Sequence, residues 1–213
     1  MNNGIYDNSK YHTNIKLIGD EDGHKVSNYQ TVAEHVADKI HRVTGPTPVL
    51  ELCCGIGATT FILARKFPEV IAVDSSHKRI ECAQKNMQAL DVHNVTFFEG
   101  DIFAKELRTI TNQLTTHPVV YTDVEWTISG VYGQDHAVNV SDTNPSTTKL
   151  YHYVKKHFSK TICMRLPKSI DDTQLRELGR CEIEYVYKNE KLSFKNVYFG
   201  DLAEQDESAF TFS

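Results

Sequence analysis

Val49-Leu50-Glu51-Leu52-Cys53-Cys54-Gly55-Ile56-Gly57 is the stretch that decides the fold. A short apolar run with a β-branched residue enters a glycine-rich turn, and residues 58–67 then carry a helical pattern. An apolar run of that length fits a strand buried on both faces. The same alternation continues outward from it. Residues 70–74 read as a strand. Residues 76–90 read as a helix with Ile80, Ala83, Met87 and Leu90 on one face. Strands follow at 95–98 and 119–122, with a helix at 103–110 between them. Residues 127–146 are a long loop containing Gly130, Gly133 and Pro145. Next come a helix at 147–158, facing inward with Leu150, Val154 and Phe158, a strand at 161–166 and a short helix at 172–178. Upstream, Val32, Val36, Ile40 and Val43 recur at helical spacing before Gly45-Pro46 ends the helix. Two final strands, 182–187 and 192–199, are separated only by Lys188 to Lys191, a link short enough to demand an antiparallel hairpin.

Repeated β–helix–β units mean an α/β fold with a mostly parallel, doubly wound sheet and helices on both faces. The C-terminal hairpin adds an antiparallel edge. Seven strands with this ending point to the class I methyltransferase, Rossmann-like fold rather than to the dinucleotide-oxidoreductase fold. Residues 1–30 are polar and weakly patterned, an N-terminal extension or lid, and residues 31–213 form the domain.

The chain has 213 residues, 40% of them hydrophobic, with a formal net charge of −5. That is enough apolar material for a core and excludes wholesale disorder. No run of about 18 apolar residues could span a membrane. The first residues have neither the basic nor the apolar region of a secretory signal. The five cysteines are odd in number and contain no C-x-x-C pair, which argues against a disulfide framework and a structural zinc site. The ten histidines fall in no metal-binding spacing. No metal is expected, and a reducing, intracellular compartment is, cytoplasmic or nuclear.

The glycine turn also carries chemistry. Gly55 and Gly57 let the backbone, with Cys53, approach a ligand closely, and the following helix offers free N–H groups. A lone G-x-G also marks ordinary tight turns, but acids at successive strand ends raise this one. Asp74, followed by Ser75, stands 17 residues after Gly57, where an acid can bind ribose hydroxyls. Asp101, followed by Ile102, can accept from an adenine amino group, and Glu51 can pair with a cationic ligand. Thr60 occupies the third glycine position of a dinucleotide loop, and three carboxylates disfavour a diphosphate. The acids suit S-adenosyl-L-methionine, a sulfonium with an ammonium group and no phosphate.

The fourth strand ends in Asp123-Val124-Glu125-Trp126. Amino-group methyltransferases place an acid, amide or serine there, then two prolines, then an aromatic. Asp123 and Trp126 fill the first and fourth positions. Asp123 would orient an acceptor amine and take its proton late, with most of the rate coming from in-line orientation. Trp126, the sole tryptophan, would stack on a purine, with most to gain from a cationic methylated one. Core packing is the plainer role for Trp126.

The chain resembles the trimethylguanosine synthase family, the RNA cap guanine-N2 methyltransferases, over roughly residues 11–202. Ala33-Glu34-His35-Val36-Ala37 resembles the family's A-E-H-I-A helix, Leu52 to Gly57 its F-C-G-x-G loop, and Leu166-Pro167-Lys168 its L-P-R segment. The stretch from Glu182 to Leu202 is similar to its E-I-E, N-x-K-L and Y-F-G-D-L signature. The resemblance implies methyl transfer from S-adenosyl-L-methionine to the exocyclic N2 of a guanine in RNA. It implies that Glu51, Asp74 and Asp101 hold the cofactor, that Trp126 stacks on the base, and that Lys168 meets phosphate; Arg165, three residues before Lys168, is expected to bind the substrate as well. The family's S-P-P-W-G-G-P is here Asp123-Val-Glu-Trp126-Thr-Ile-Ser, without the prolines and glycines, and its S-V-T-P-E is Ser27-Asn-Tyr-Gln-Thr31. The acceptor site is therefore remodelled. Other acceptors, an adenine N6 in RNA or DNA or a small-molecule amine, remain open, as does a non-catalytic cofactor-binding module. The charge is uneven: residues 145–170 hold no Asp or Glu but Lys149, Lys155, Lys156, Lys160, Arg165 and Lys168. That segment predicts a local phosphate contact rather than a general nucleic-acid surface.

Overall fold

The computed structural model describes residues 16–129 and 135–213. The chain divides into two compact units, Met1–Pro118 and Val119–Ser213. The first contains α1 (Glu21–Val26), α2 (Gln30–Thr44), β1 (Val49–Leu52), α3 (Ala58–Lys66), β2 (Val70–Asp74), α4 (His77–Ala89), β3 (Val95–Glu99) and α5 (Lys105–Thr111). Its strands lie in the order β3-β2-β1, all parallel, with Leu50 opposite Ile71 and Ile71 opposite Thr96. All four residues of β1 are buried, as a strand covered on both faces requires. Val32, Val36 and Ile40 of α2 have no exposed surface, which accounts for their helical spacing. Ser76 starts α4 by accepting a hydrogen bond from the Arg79 N–H. Gly45, at φ 68°, ends α2 in the left-handed region.

The second unit contains β4 (Val119–Asp123), α6 (Thr147–His157), β5 (Ile162–Pro167), α7 (Asp172–Leu178), β6 (Cys181–Lys188), β7 (Lys191–Phe199), a 3-10 turn at Gly200–Leu202 and β8 (Glu207–Phe212). Its strand order is β4-β5-β7-β6-β8. β4 and β5 are parallel, and β7 runs antiparallel to both β5 and β6. The expected hairpin is tighter than its sequence link suggests, because Lys188 and Lys191 pair with each other. The two residues between them, Asn189 and Glu190, both have positive φ, the turn that matches the twist of a hairpin.

The seven expected strands are present, and β8 adds an eighth that pairs parallel with β6. Within residues 16–30, α1 is an ordered turn of helix capped by the Asp20 carboxylate, which accepts from the Gly23 N–H. The expectations for residues 1–15, and for Gly130 and Gly133, lie outside the described residues. In the loop after β4, Glu125 bridges to Asn144 and Thr127 to His136. Among the described residues, no helix is long and apolar enough to cross a membrane. No group of three or more His, Cys, Asp or Glu among them could hold a metal ion.

Candidate active site

In the first unit the three acids stand where the strands end. Glu51 lies within β1, Asp74 closes β2, and Asp101 follows β3 by two residues. Because the three strands are parallel and adjacent, their carboxyl ends share one edge of the sheet. Glu51 is 2% exposed, and its Oε2 accepts from the Thr60 hydroxyl at 2.6 Å. Thr60, the residue that breaks the dinucleotide pattern, thus holds one of the proposed cofactor acids. Asp74 accepts from Gly55 N–H through one oxygen and from Ser76 N–H through the other, both at 2.9 Å. It therefore ties the tip of the glycine turn to the start of α4. Asp101 is exposed, and its Oδ1 accepts from Phe103 N–H at 2.8 Å. Ser75 is exposed and Ile102 is buried.

The turn owes its shape to left-handed backbone at alternate residues: Cys53 at φ 65°, Gly55 at 56° and Gly57 at 82°. Cys53 is the costly member, since a side chain there is strained by about 1–3 kcal/mol, and such strain gathers at ligand sites. A Cβ added at Gly55 would meet nothing closer than the Arg79 guanidinium at 4.0 Å. The backbone at Gly55 is thus open to close approach by a ligand. The cysteine beside it is inert: burial first, then the charges of Glu51 and Asp74, push the Cys54 thiol well above its ordinary range.

Other residues support the turn without having stood out in the sequence. The Asn86 amide donates to the carbonyls of Ile56 and Ile18 and accepts from Ile18 N–H at 2.6 Å, so α4 joins the turn to the segment before α1. Leu17, Ile56, Ala58 and Cys82 form a buried apolar cluster beneath it. Asp20 holds Lys78 at 2.8 Å and lies 3.5 Å from Arg79. Burial pushes its carboxyl up, but hydrogen bonds from Lys78 and Gly23 and the Arg79 charge outweigh this and hold it below the usual range. The sequence of this segment by itself suggests only an extension or lid. Asp20-Glu21-Asp22 ahead of a lone basic turn was the available signal, though six residues are too few for periodicity.

The second unit gathers a separate cluster. Asp123 of β4 and Arg165 of β5 are register partners, and Arg165 Nη1 donates to Asp123 Oδ2 at 2.6 Å. Arg165 is 6% exposed, so this is a largely desolvated, charge-assisted contact. Its guanidinium carbon lies 4.4 Å from the Trp126 ring centroid and 4.3 Å from that of Phe194. The two rings are 5.9 Å apart and tilted by 48°, and the cation lies over both. Trp126 Nε1 donates to the Arg165 carbonyl at 3.3 Å, which fixes the indole's direction. Its edge partner is His136, at 90° and 6.4 Å.

The row continues across the sheet. Arg165 pairs with Asn196 of β7, and Asn196 with Glu184 of β6. Glu184 accepts from the Asn196 amide at 2.8 Å and from the Tyr198 hydroxyl at 2.9 Å. Glu184 of the E-I-E portion, Tyr198 of the Y-F-G-D-L portion and Asn196 between the tail's motifs thus supply a buried polar layer beside the acceptor motif. Lys195 and Asp172 form a neighbouring ion pair at 2.5 Å, with Lys195 also donating to the Ile170 carbonyl.

Asp123, Trp126 and Arg165 therefore come together, and Phe194 joins them. Phe194 carries no local sequence signal, because only the β5–β7 register places it beside Arg165. Lys168 is exposed and donates to the Leu192 carbonyl at 3.0 Å. Of the basic residues of 145–170, Arg165 is buried, whereas Lys149, Lys155, Lys156, Lys160 and Lys168 are exposed, Lys155 lying over Tyr151.

The profile of a family described as RNA cap guanine-N2 methyltransferase matches residues 47–202. That span includes both clusters. A curated relative, the 23S rRNA (uracil(1939)-C(5))-methyltransferase RlmD of Pseudomonas entomophila (strain L48), is 39% identical over 54 residues, a quarter (25%) of this chain and 12% of the relative. The chain thus spans about an eighth of the length of that relative. Among solved structures, a protein of Porphyromonas gingivalis W83 assigned as a methyltransferase superposes with a TM-score of 0.68 at 18% identity, covering 86% of this chain and 43% of that one. The tRNA (m1A58) methyltransferase TrmI of Aquifex aeolicus gives 0.54 at 16% identity, covering 81% and 69%. At these identities the structures establish the α/β class I methyltransferase fold.

Proposed function

The chain belongs to the RNA cap guanine-N2 methyltransferase family, and from that membership we propose that it methylates the exocyclic amino group of a guanine in RNA. The family implies S-adenosyl-L-methionine as cofactor, and the donor set of the first unit suits it. Three carboxylates share a strand edge beside an open glycine backbone, which favours a hydroxylated, cationic ligand over a diphosphate. Asp74 and Asp101 would accept from ribose hydroxyls and the adenine amino group, and Glu51 would face the ammonium. When bound, the cofactor supplies an activated methyl group on sulfur.

One observation carries the acceptor half: a carboxylate held at 2.6 Å by a buried guanidinium, three residues before an oriented indole. The Arg165 charge favours the ionised form of Asp123, which can only accept hydrogen bonds. Asp123 therefore recognises an N–H donor such as an exocyclic amine, orients its lone pair and takes the proton released by methylation. Trp126 supplies a flat apolar face for the base. Lys168 would meet a phosphate.

Incubation with label on the cofactor methyl, followed by separation of RNA, DNA and metabolite pools, tests the proposal. Label should enter RNA and, after digestion, reside on N2 of guanosine. Label in DNA, in small amines or on adenine N6 would replace this reading with one of those acceptors. Cofactor binding with no transfer to any pool would make the chain a non-catalytic module.

A further inference from the structure

We infer that the outward face of α6 is a docking rail for the phosphate backbone of the RNA, outside the acceptor motif. The inference rests on the RNA reading proposed above. α6 buries Thr147, Leu150, Tyr151 and Val154. At 3.6 residues per turn, the opposite face carries Lys149, His152 and Lys156, all exposed, and exposed Lys160 follows just past the helix end. Residues 145–170 contain no Asp or Glu to answer these charges. On the first unit, exposed Lys25, Lys66 and Lys78 are each met by an acid, Glu21, Asp38 and Asp20 respectively. Among the described residues, Lys155, Lys156 and Lys160 make no ion pair. The helix dipole favours cations in the last turn, which accounts for Lys155 and Lys156. It disfavours one in the first turn, where Lys149 stands without an acid beside it. A row of cations kept on a chain of net charge −5, partly against the dipole, suits a polyanion.

The position of α6 makes that polyanion the substrate's own backbone. β4 and β5 are parallel neighbours, so α6 returns from the edge where β4 ends to the edge where β5 begins. Its start is tied to the acceptor motif: Asn144, two residues before the Ser146 cap, exchanges both backbone hydrogen bonds with Glu125 at 3.0 Å. The basic face therefore leads away from Asp123 along 11 helical residues, about 16 Å. That length follows several nucleotides of a strand. An RNA whose acceptor base lies at Asp123 continues along α6.

The full chain is titrated against a labelled single-stranded RNA of about 20 nucleotides at graded salt, read by fluorescence anisotropy. Lys149→Gln/Lys156→Gln/Lys160→Gln removes three charges at nearly unchanged helix propensity. Lys66→Gln/Lys85→Gln/Lys105→Gln makes the same charge change at exposed positions of the first unit. Each phosphate contact adds about 0.7 to the slope of log affinity against log salt. The α6 variant should lose about 1–2 from that slope and about ten- to fiftyfold in affinity at physiological salt, and the first-unit variant should stay close to wild type. Photo-crosslinking of the wild-type chain to thiouridine-substituted RNA needs no variant, and should place adducts on peptides from residues 147–160. Adducts confined elsewhere overturn the inference. Equal losses in the two variants overturn it as well, since net charge alone would then hold the RNA. An unchanged slope in the α6 variant, with methyl label still entering RNA, overturns it and leaves the RNA reading intact. Competition by polyaspartate as strong as by RNA at equal charge assigns the face to an acidic protein and also overturns it. A wild-type chain that neither binds nor labels RNA removes the RNA reading and the inference together.

Discussion

Replacing Gly57 with alanine tests how the glycine turn is built. The residue sits at φ 82°, where a Cβ crowds the following carbonyl and costs about 1–2 kcal/mol. The added Cβ would also lie 3.0 Å from Ala83 Cβ and 3.2 Å from Ala83 Cα. Ala83 is fully buried on α4 and cannot swing away, so relief needs a backbone shift, and such overpacking costs about 1–3 kcal/mol. The stiffer unfolded chain returns about 0.4–1 kcal/mol. The net expectation is a loss of about 2–4 kcal/mol, read as a lower urea midpoint at unchanged slope. Ala83→Gly makes room at a helix cost of about 1 kcal/mol. In the double variant the Cβ–Cβ clash is removed while the 3.2 Å approach to the residue 83 Cα stays, so its loss should be smaller than the sum of the singles by about 1–2 kcal/mol. Calorimetry with S-adenosyl-L-methionine would show the displaced turn as weakened binding. A Gly57→Ala chain within about 0.5 kcal/mol of wild type would refute the strained turn, and strict additivity would refute the contact with Ala83.

Asp123→Ala should abolish methyl transfer while leaving cofactor affinity within about twofold, measured by labelled transfer and calorimetry; surviving turnover would remove Asp123 from the reaction. The Cys54 thiol should resist alkylation at mildly alkaline pH in the folded chain and react once urea unfolds it, as mass spectrometry can follow. Asp20 has a folded pKa below its unfolded one, so its contribution is present above about pH 4 and is lost as pH falls through the folded value. Asp20→Asn should therefore lower the melting temperature at neutral pH, and the gap should close in strong acid. Binding of an RNA acceptor should weaken as salt rises, and a salt-independent affinity would argue against phosphate contacts.

Much of this was legible in the sequence for a physical reason. Val49–Leu52, Val70–Asp74 and the helices between and after them announce themselves by burial patterns that local spacing imposes. The strand-end acids were legible too, since Asp74 and Asp101 need only follow a strand. What stayed hidden depends on register. Nothing local says that Arg165 lies opposite Asp123, or that Phe194 stands beside the guanidinium, because β4–β5 and β5–β7 pairing is set by the whole sheet. From sequence alone Arg165 therefore reads as a substrate-binding basic residue near Lys168; the register is what reveals its burial against the acceptor motif. Glu207–Phe212 escaped for another reason: its alternation of Ser208, Phe210 and Phe212 is short and follows a charged stretch.

That eighth strand also bears on how the chain can safely be cut. It lies beyond residue 202, where the family match stops, yet it supplies the hydrogen-bonding partner for residues Ile183 to Lys188 of β6. A chain trimmed to the family boundary would retain every residue proposed to touch cofactor or acceptor. It would also expose the open edge of a strand carrying Ile183, Tyr185 and Val186 to other molecules. Such an edge recruits further strands. β8 therefore takes the edge position itself, with a strand more exposed than the one it covers, and keeps β6 inside the sheet.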